Sequence, residues 1–398
     1  MTKYIMIQGT SSNVGKTTLC AGLCRLLSNE GYKVAPFKAS NMGLNAYIDD
    51  DGGEMGYGQA LQAIACRIKP KAMMNPLLLK PKGDAMVDII LNGKLHKTIG
   101  GQNHQTNKEE YLDILHNYLL EVSKGKDIVV IEGGGAPSEI NIPKPDLANM
   151  GIAQTVKAPV LLVGNIELGG VFAALYGTYA LFDKQEKELV KGFIINKLHG
   201  HATSLKSGCQ QLEELMNCKS IGVVPNVDIE LQDEDLPSVC SNKIDAKINV
   251  GVLKSPLAIN LNAYKSFSDY SIVNTSIIDD NFEHYDIILI PSSNAYKIDY
   301  SKFKNMKTNH KIITFNHGKE ALNHLDIKEN AQIKSYKEEY PTNQIIAEII
   351  KEECSNKNYN FEEIEIKDID NTDKELDKLA DMLNETLDIE SIKEIIGI

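Results

Sequence analysis

Lys16 and Thr17 close the run Gln8-Gly9-Thr10-Ser-Ser-Asn13-Val-Gly15-Lys16-Thr17-Thr18, and their types suit the handling of phosphate. An ammonium at this position can reach β- and γ-phosphate oxygens, and a hydroxyl beside it can ligate Mg²⁺. Such residues need a turn that presents them. Residues 3–8 read as a short buried strand and residues 17–27 carry the apolar spacing of an amphipathic helix. Residues 9–15 must therefore turn at that helix's N-terminus, where unpaired N–H groups and the positive end of the helix dipole favour an anion. Gly9, Thr10, Asn13, Gly15, Lys16, Thr17 and Thr18 are the expected nucleotide-binding set, with ATP and Mg²⁺ as the expected cofactors.

The loop departs from the strict Walker pattern, since five residues separate Gly9 from Gly15 where four are usual. Longer loops of this kind mark a subgroup of P-loop proteins. Three further strand ends carry chemistry. Ile128-Val-Val-Ile-Glu132-Gly-Gly-Gly135 is an apolar strand ending in an acid, which suits a carboxylate beside bound Mg²⁺. Glu132 is thus a metal-side candidate with Thr17. Pro36-Phe-Lys38-Ala-Ser-Asn41 follows the second strand, where Lys38 can neutralise phosphate or a substrate carboxylate. Gly192-Phe-Ile-Ile-Asn196-Lys197 ends another strand in a polar pair, and an Asn there can read a purine edge.

Apolar runs alternate with helical stretches at 3–8, 33–37, 127–132, 159–164, 192–196 and 220–225, which implies an α/β fold with a parallel sheet covered by helices. Only Gly251, Gly318 and Gly397 of the 29 glycines lie beyond residue 250, so ligand-cradling backbone belongs to the first part. The organisation expected is a P-loop domain at 1–227, a polar linker at 228–246, and a smaller α/β domain at 247–398 ending in a docked helix. Candidate strands of that second domain are 247–253, 285–291 and 311–315. Seven cysteines without a CxxC pair give neither a disulfide framework nor a zinc site; Cys20 and Cys24 read as core thiols. A formal net charge of −12 argues against nucleic acid or an acidic membrane as partner. With no signal peptide or long apolar run, a soluble cytoplasmic protein is expected.

The order of these segments resembles one family, the cobyric acid synthases, glutamine-dependent amide synthases of the cobalamin pathway whose ATP domain is akin to dethiobiotin synthetase. The resemblance rests on residues 9–18 and 36–45, Gly52-Gly-Glu-Met-Gly-Tyr-Gly-Gln59-Ala-Leu-Gln-Ala63, Met74-Asn-Pro-Leu-Leu-Leu-Lys80-Pro81, residues 131–141, Asp146-Leu-Ala-Asn-Met-Gly151, Gly169-Gly-Val-Phe-Ala173 and residues 191–197. It implies amidation of peripheral carboxylates of adenosylcobyrinic acid a,c-diamide to give cobyric acid. A corrinoid carboxylate would attack the γ-phosphate, and ammonia would displace phosphate from the acyl phosphate. Lys16, Lys38 and Glu132 would be the catalytic residues.

The same resemblance exposes departures. Where the family reads V-G-D-I-D-R-G-G-V-F, this chain has Val163-Gly-Asn165-Ile-Glu167-Leu168-Gly-Gly-Val-Phe172. The family's second domain is a class I glutamine amidotransferase domain, whose nucleophilic cysteine is replaced here by Asn316 in Ile312-Ile-Thr-Phe-Asn316-His-Gly-Lys-Glu-Ala-Leu322. An amide cannot form the thioester that glutamine hydrolysis requires. The family's later His-containing segment has no counterpart either, so a reduced glutaminase domain is expected, with ammonia coming free or from a separate glutaminase. Two other classes stand beside the synthase: a catalytically weakened paralogue that binds nucleotide or corrinoid, and a P-loop switch ATPase. The surviving Lys16, Thr17, Lys38 and Glu132 favour the synthase.

Overall fold

A computed structural model describes residues 2–82, 85–100, 108–142, 144–226, 246–254, 261–279, 282–293, 307–329, 331–338, 341–363 and 372–398, with 241, 243, 258 and 303 singly. Of the expected linker at 228–246, only 241, 243 and 246 fall within this set.

Six parallel strands form the first sheet, in the spatial order Lys219–Pro225, Val190–Leu198, Val160–Asn165, Lys3–Gly9, Ile128–Glu132, Val34–Phe37. All six strands expected from the sequence are present. Their side chains alternate between two apolar layers, as a pleated strand requires when both faces are covered. Met6, Phe37, Val129, Ile131, Leu162 and Phe193 pack on one face with Leu115, Ile152, Leu175 and Leu212 of the crossover helices. Ile5, Ile7, Ile128, Val130, Leu161 and Val163 pack on the other, against the helix Lys16–Asn29.

That second face is completed by the end of the chain. Leu376, Leu379 and Leu383 of the helix Thr372–Thr386, with Ile389, Ile392 and Ile396 of Ile389–Ile396, join the same cluster. Chain order placed this segment with the second domain; its apolar face instead packs on the first. Residue type explains the choice, because Gly22 lets the helices approach so closely that a Cβ there would lie 2.4 Å from Leu383 Cδ1. Fully buried Arg25 faces Asp373 and, at 3.8 Å, Asp377, and Asp388 N donates to the Ile221 carbonyl at 2.7 Å.

A four-stranded sheet, Ser40–Met42, Leu77–Lys82, Met86–Leu91 and Lys94–Gly100, projects beside the second strand. The hairpin turns at Asn92-Gly93, both at positive φ (46° and 78°), the pairing expected of a two-residue type I′ connection.

The second α/β unit has five parallel strands in the order Val273–Ile278, Ile248–Leu253, Ile287–Ile290, Lys311–Phe315, Ile333–Tyr336. Tyr264, Phe267, Ile346 and Ile350 cover one face, and Leu253, Phe282, Ile290 and Ala321 belong to the cluster on the other.

Candidate functional site

The sheet order places the first strand between the third and fourth in sequence, so the chain reverses its direction of winding there. Open α/β sheets carry their ligand crevice at such a point, outside the carboxyl ends of the strands. Register brings Ile7 opposite Glu132 and Gly9 opposite Val163, so the loop leaving the first strand stands over both neighbours. Gly15 ends it in the left-handed region (φ 92°), where a Cβ would lie 2.3 Å from Asn196 Nδ2; glycine alone fits both constraints. Asn13 also takes positive φ (58°), tolerated by Asn.

Lys16 is buried, and its ammonium donates to the carbonyls of Ser11 (3.0 Å) and Gly135 (2.9 Å). The cation is thereby held within the loop, facing the glycines that follow Glu132. Glu132, 1% exposed, is the hub of the site. Its Oε1 accepts from Thr17 Oγ1 and from Lys38 Nζ, each at 2.8 Å, and its Oε2 accepts from Gln59 Nε2 at 3.1 Å and from Gln62 Nε2. Burial pushes this carboxyl up, but the Lys38 charge and the hydrogen bonds from Lys38, Gln62 and Thr17 outweigh it and hold it below the usual carboxylate range. It stays ionised at neutral pH.

These groups open on a cavity of about 960 Å³, which Ser12, Asn13, Gly15, Lys16, Thr17, Thr18, Lys38 and Glu132 line at the loop end. Asn41, Asp146 and Lys108 line it further out, as do Asn196, Pro225, Leu379 and Met382. Burial pushes the Asp146 carboxyl up, against hydrogen bonds from the Ala148 and Asn149 backbones.

Of the residues expected from the sequence, Lys16, Thr17, Lys38 and Glu132 meet at one point. Gly9 is buried beneath Lys16, while Thr10 N donates to the Val163 carbonyl at 2.9 Å and anchors the loop's start. Thr18 is exposed on the cavity. Asn196, expected to read a base edge, uses its Nδ2 on the Val14 carbonyl at 2.8 Å, so its amide donor positions the loop. Gln59 and Gln62 were not singled out. Their i, i+3 spacing on the helix Tyr57–Ala65 puts both on one face, and that was the available signal.

The residues present fit Mg²⁺ and a nucleotide triphosphate. Among the described residues no three His, Cys, Asp or Glu cluster as a closed metal cage. Mg²⁺ is commonly held by one or two protein oxygens with water and phosphate completing its octahedron, and Thr17 Oγ1 with Glu132 Oε1 is such a pair.

At the departures, Asn165 Oδ1 accepts from Glu167 N at 2.9 Å, Glu167 lies 3.4 Å from His199 Nε2, and Leu168 is 87% exposed. In the second unit, Asn316 follows the strand Lys311–Phe315 at φ 38°. A Cβ on Gly318 would lie 2.5 Å from the Ile290 carbonyl oxygen. The chain thus passes from strand to helix in a tight turn with the Asn316 amide at its apex. Cys354 is buried in the helix Asn343–Asn356 and burial pushes its thiol up, which disfavours the thiolate. Cys20 and Cys24 are fully buried, as expected of core thiols. Among the described residues no helix is long and apolar enough to cross a membrane.

The model of the CobQ/CobB/MinD/ParA nucleotide binding domain (CbiA) matches residues 5–237. A cobyric acid synthase from Clostridium botulinum is 45% identical over 292 residues, covering 73% of this chain and 59% of that protein. One from Thermodesulfovibrio yellowstonii is 41% identical over 315 residues, covering 77% and 64%. The chain thus spans about three fifths of the length of the curated relatives it matches. Among solved structures, the MinD cell division protein of Aquifex aeolicus aligns with 56% of this chain and 83% of its own, at 17% identity and a TM-score of 0.34.

Proposed function

The chain belongs to the CobQ/CobB/MinD/ParA nucleotide-binding family, and from that premise we propose that it is an ATP-dependent amide synthase of the cobyric acid synthase type, acting in cobalamin biosynthesis. The proposed substrate is a corrinoid bearing peripheral carboxylates, adenosylcobyrinic acid a,c-diamide, and the product cobyric acid. One observation carries the reading: Thr17, Lys38, Gln59 and Gln62 converge on the ionised Glu132 directly beneath the Lys16 loop.

When bound, Mg-ATP supplies the γ-phosphoryl group that activates a carboxylate toward ammonia. Thr17 and Glu132 would hold the metal. Lys16 and the loop N–H groups would stabilise charge on the transferring group, which is where such sites gain most of their rate. Lys38 would draw the acceptor carboxylate toward the same point. Ammonia would come free or from a separate glutaminase, since Asn316 offers no nucleophile. We divide the chain into a P-loop domain at 1–227, a linker at 228–246 and a reduced amidotransferase-like unit from 247, whose closing helices from Thr372 onward pack on the first domain, and place it in the cytoplasm. Phosphate release and amide formation, measured with corrinoid, Mg-ATP and ammonium chloride, test the reading; ATP binding without either product would reject it.

A second reading, a weakened paralogue that binds nucleotide or corrinoid, is favoured by Leu168. A side chain 87% exposed stands where the resemblance to the family implies an arginine, and leucine cannot replace a bidentate anion contact.

A further inference from the structure

The nucleotide cavity has an apolar end that the loop does not supply. Leu379 and Met382 of the helix Thr372–Thr386 line it together with Val224 and Pro225. That helix lies against both Lys16–Asn29 and the edge strand Lys219–Pro225: Gly22 abuts Leu379 and Leu383, and a Cβ on Gly222 would meet the Thr386 carbonyl oxygen at 2.3 Å. It therefore lies over Lys16–Asn29 and reaches the edge of the sheet at Lys219–Pro225. The position is fixed by polar contacts as well as packing. Arg25 faces Asp373 and Asp377, Asn29 Nδ2 donates to Asp377 Oδ1 at 3.1 Å, and Lys393 lies 2.9 Å from Glu30.

The cavity is also lined by Asn41, Met42 and Asp146, which follow Lys38 and Glu132 in the chain. With that end left to the acceptor carboxylate, a triphosphate whose terminal phosphate lies beside Lys16 and Glu132 extends its nucleoside past Gly15 toward Asn196, Pro225, Leu379 and Met382. A planar base has an apolar face, and a thioether side chain is a polarisable partner for it. We propose that the C-terminal helix is a working part of the nucleotide site, with Leu379 and Met382 forming one wall of its base end. This rests on the nucleotide reading of the loop given above. It makes the helix Thr372–Thr386, separated from the loop by the whole second unit, a determinant of affinity for the base and not for the phosphates.

Calorimetric titration of the full chain with Mg-ATP and, separately, with Mg-tripolyphosphate tests it. Met382 is only half buried, so its substitution spares the core residues Leu376, Leu379 and Leu383. Met382→Ala should weaken Mg-ATP about tenfold, the loss expected of one apolar contact of this size, and leave tripolyphosphate affinity unchanged. Met382→Leu, of similar volume, should stay within about twofold of wild type for both. Unchanged affinities in Met382→Ala, an equal loss for both ligands, or Met382→Leu as weak as Met382→Ala would overturn the base wall while leaving the loop assignment standing. A wild-type chain that binds neither ligand would overturn the nucleotide reading itself.

Discussion

Lys38 Nζ lies 2.8 Å from Glu132 Oε1, with both side chains buried at neighbouring strand ends. An isolated charge at that depth costs several kcal/mol, so each residue makes the other tolerable. The pair also leaves a carboxylate permanently charged next to Thr17. That is the condition a metal-binding or phosphoryl-transfer site needs at neutral pH.

Breaking the pair from one side should be costly. Lys38→Ala strands the carboxylate and is expected to lower stability by about 3–5 kcal/mol, read as a lower urea midpoint at pH 7. Because the folded state depresses the Glu132 pKa, its contribution is present above the ordinary carboxylate value of about 4.3 and is lost as pH falls through the depressed one. Wild-type midpoints should therefore drop on acidification below that value, while Glu132→Gln starts lower and changes less across the same window. Parallel profiles would show that the pair does not titrate this way.

Lys16→Ala should weaken Mg-ATP by at least about tenfold, since a buried charge-assisted contact to phosphate contributes more than 1.4 kcal/mol. Equal affinities of variant and wild type in calorimetry would remove Lys16 from the phosphate site.

Glu132→Gln keeps the side chain's shape and removes its charge. Turnover of corrinoid with ammonium should fall about a hundredfold or more while Mg-ATP affinity changes only a few-fold, the signature of an interaction made mainly in the transition state. Unchanged turnover would take Glu132 out of the chemistry.

Glutamine should not serve as nitrogen source. Purified protein is expected to release no glutamate, and Asn316→Cys alone should not restore release, because a thiol also needs a positioned base. Ammonium chloride should support amidation increasingly as pH rises toward 9 and more free NH₃ is present. Glutamate release at the rate of amidation would overturn the assignment of Asn316 to the nucleophile position.

Much of this site was legible because local patterns specify it. Strand, glycine-rich turn and helix lie within 27 residues, and the acid of Ile128–Glu132 ends an unbroken apolar run, so Lys16, Thr17 and Glu132 could be read without knowing the sheet order. Gln59 and Gln62 were not distinguished, because an amide on an amphipathic helix has no meaning until its partner is known. Asn92-Gly93 is itself a strong turn signal for the hairpin it forms. Val273–Ile278 and Ile333–Tyr336 are short strands beside polar stretches, where alternation is hard to separate from loop. The placement of Leu379 and Met382 depends on contacts between residues more than 350 positions apart, which periodicity does not encode.

The helix Thr372–Thr386 covers a face of the first sheet that the ribosome begins to build with Ile5 and Ile7. During synthesis the apolar side of Lys16–Asn29 therefore waits through some 340 further residues before its cover exists. Chains usually fold domain by domain as they emerge, yet here the first unit cannot close its outer layer until residues 372–396 have been translated. The second unit behaves topologically as an insertion within the first. Closure of that face thus waits for residues 372–396, and a ribosome-bound nascent chain ending near residue 360 should expose it to chaperones.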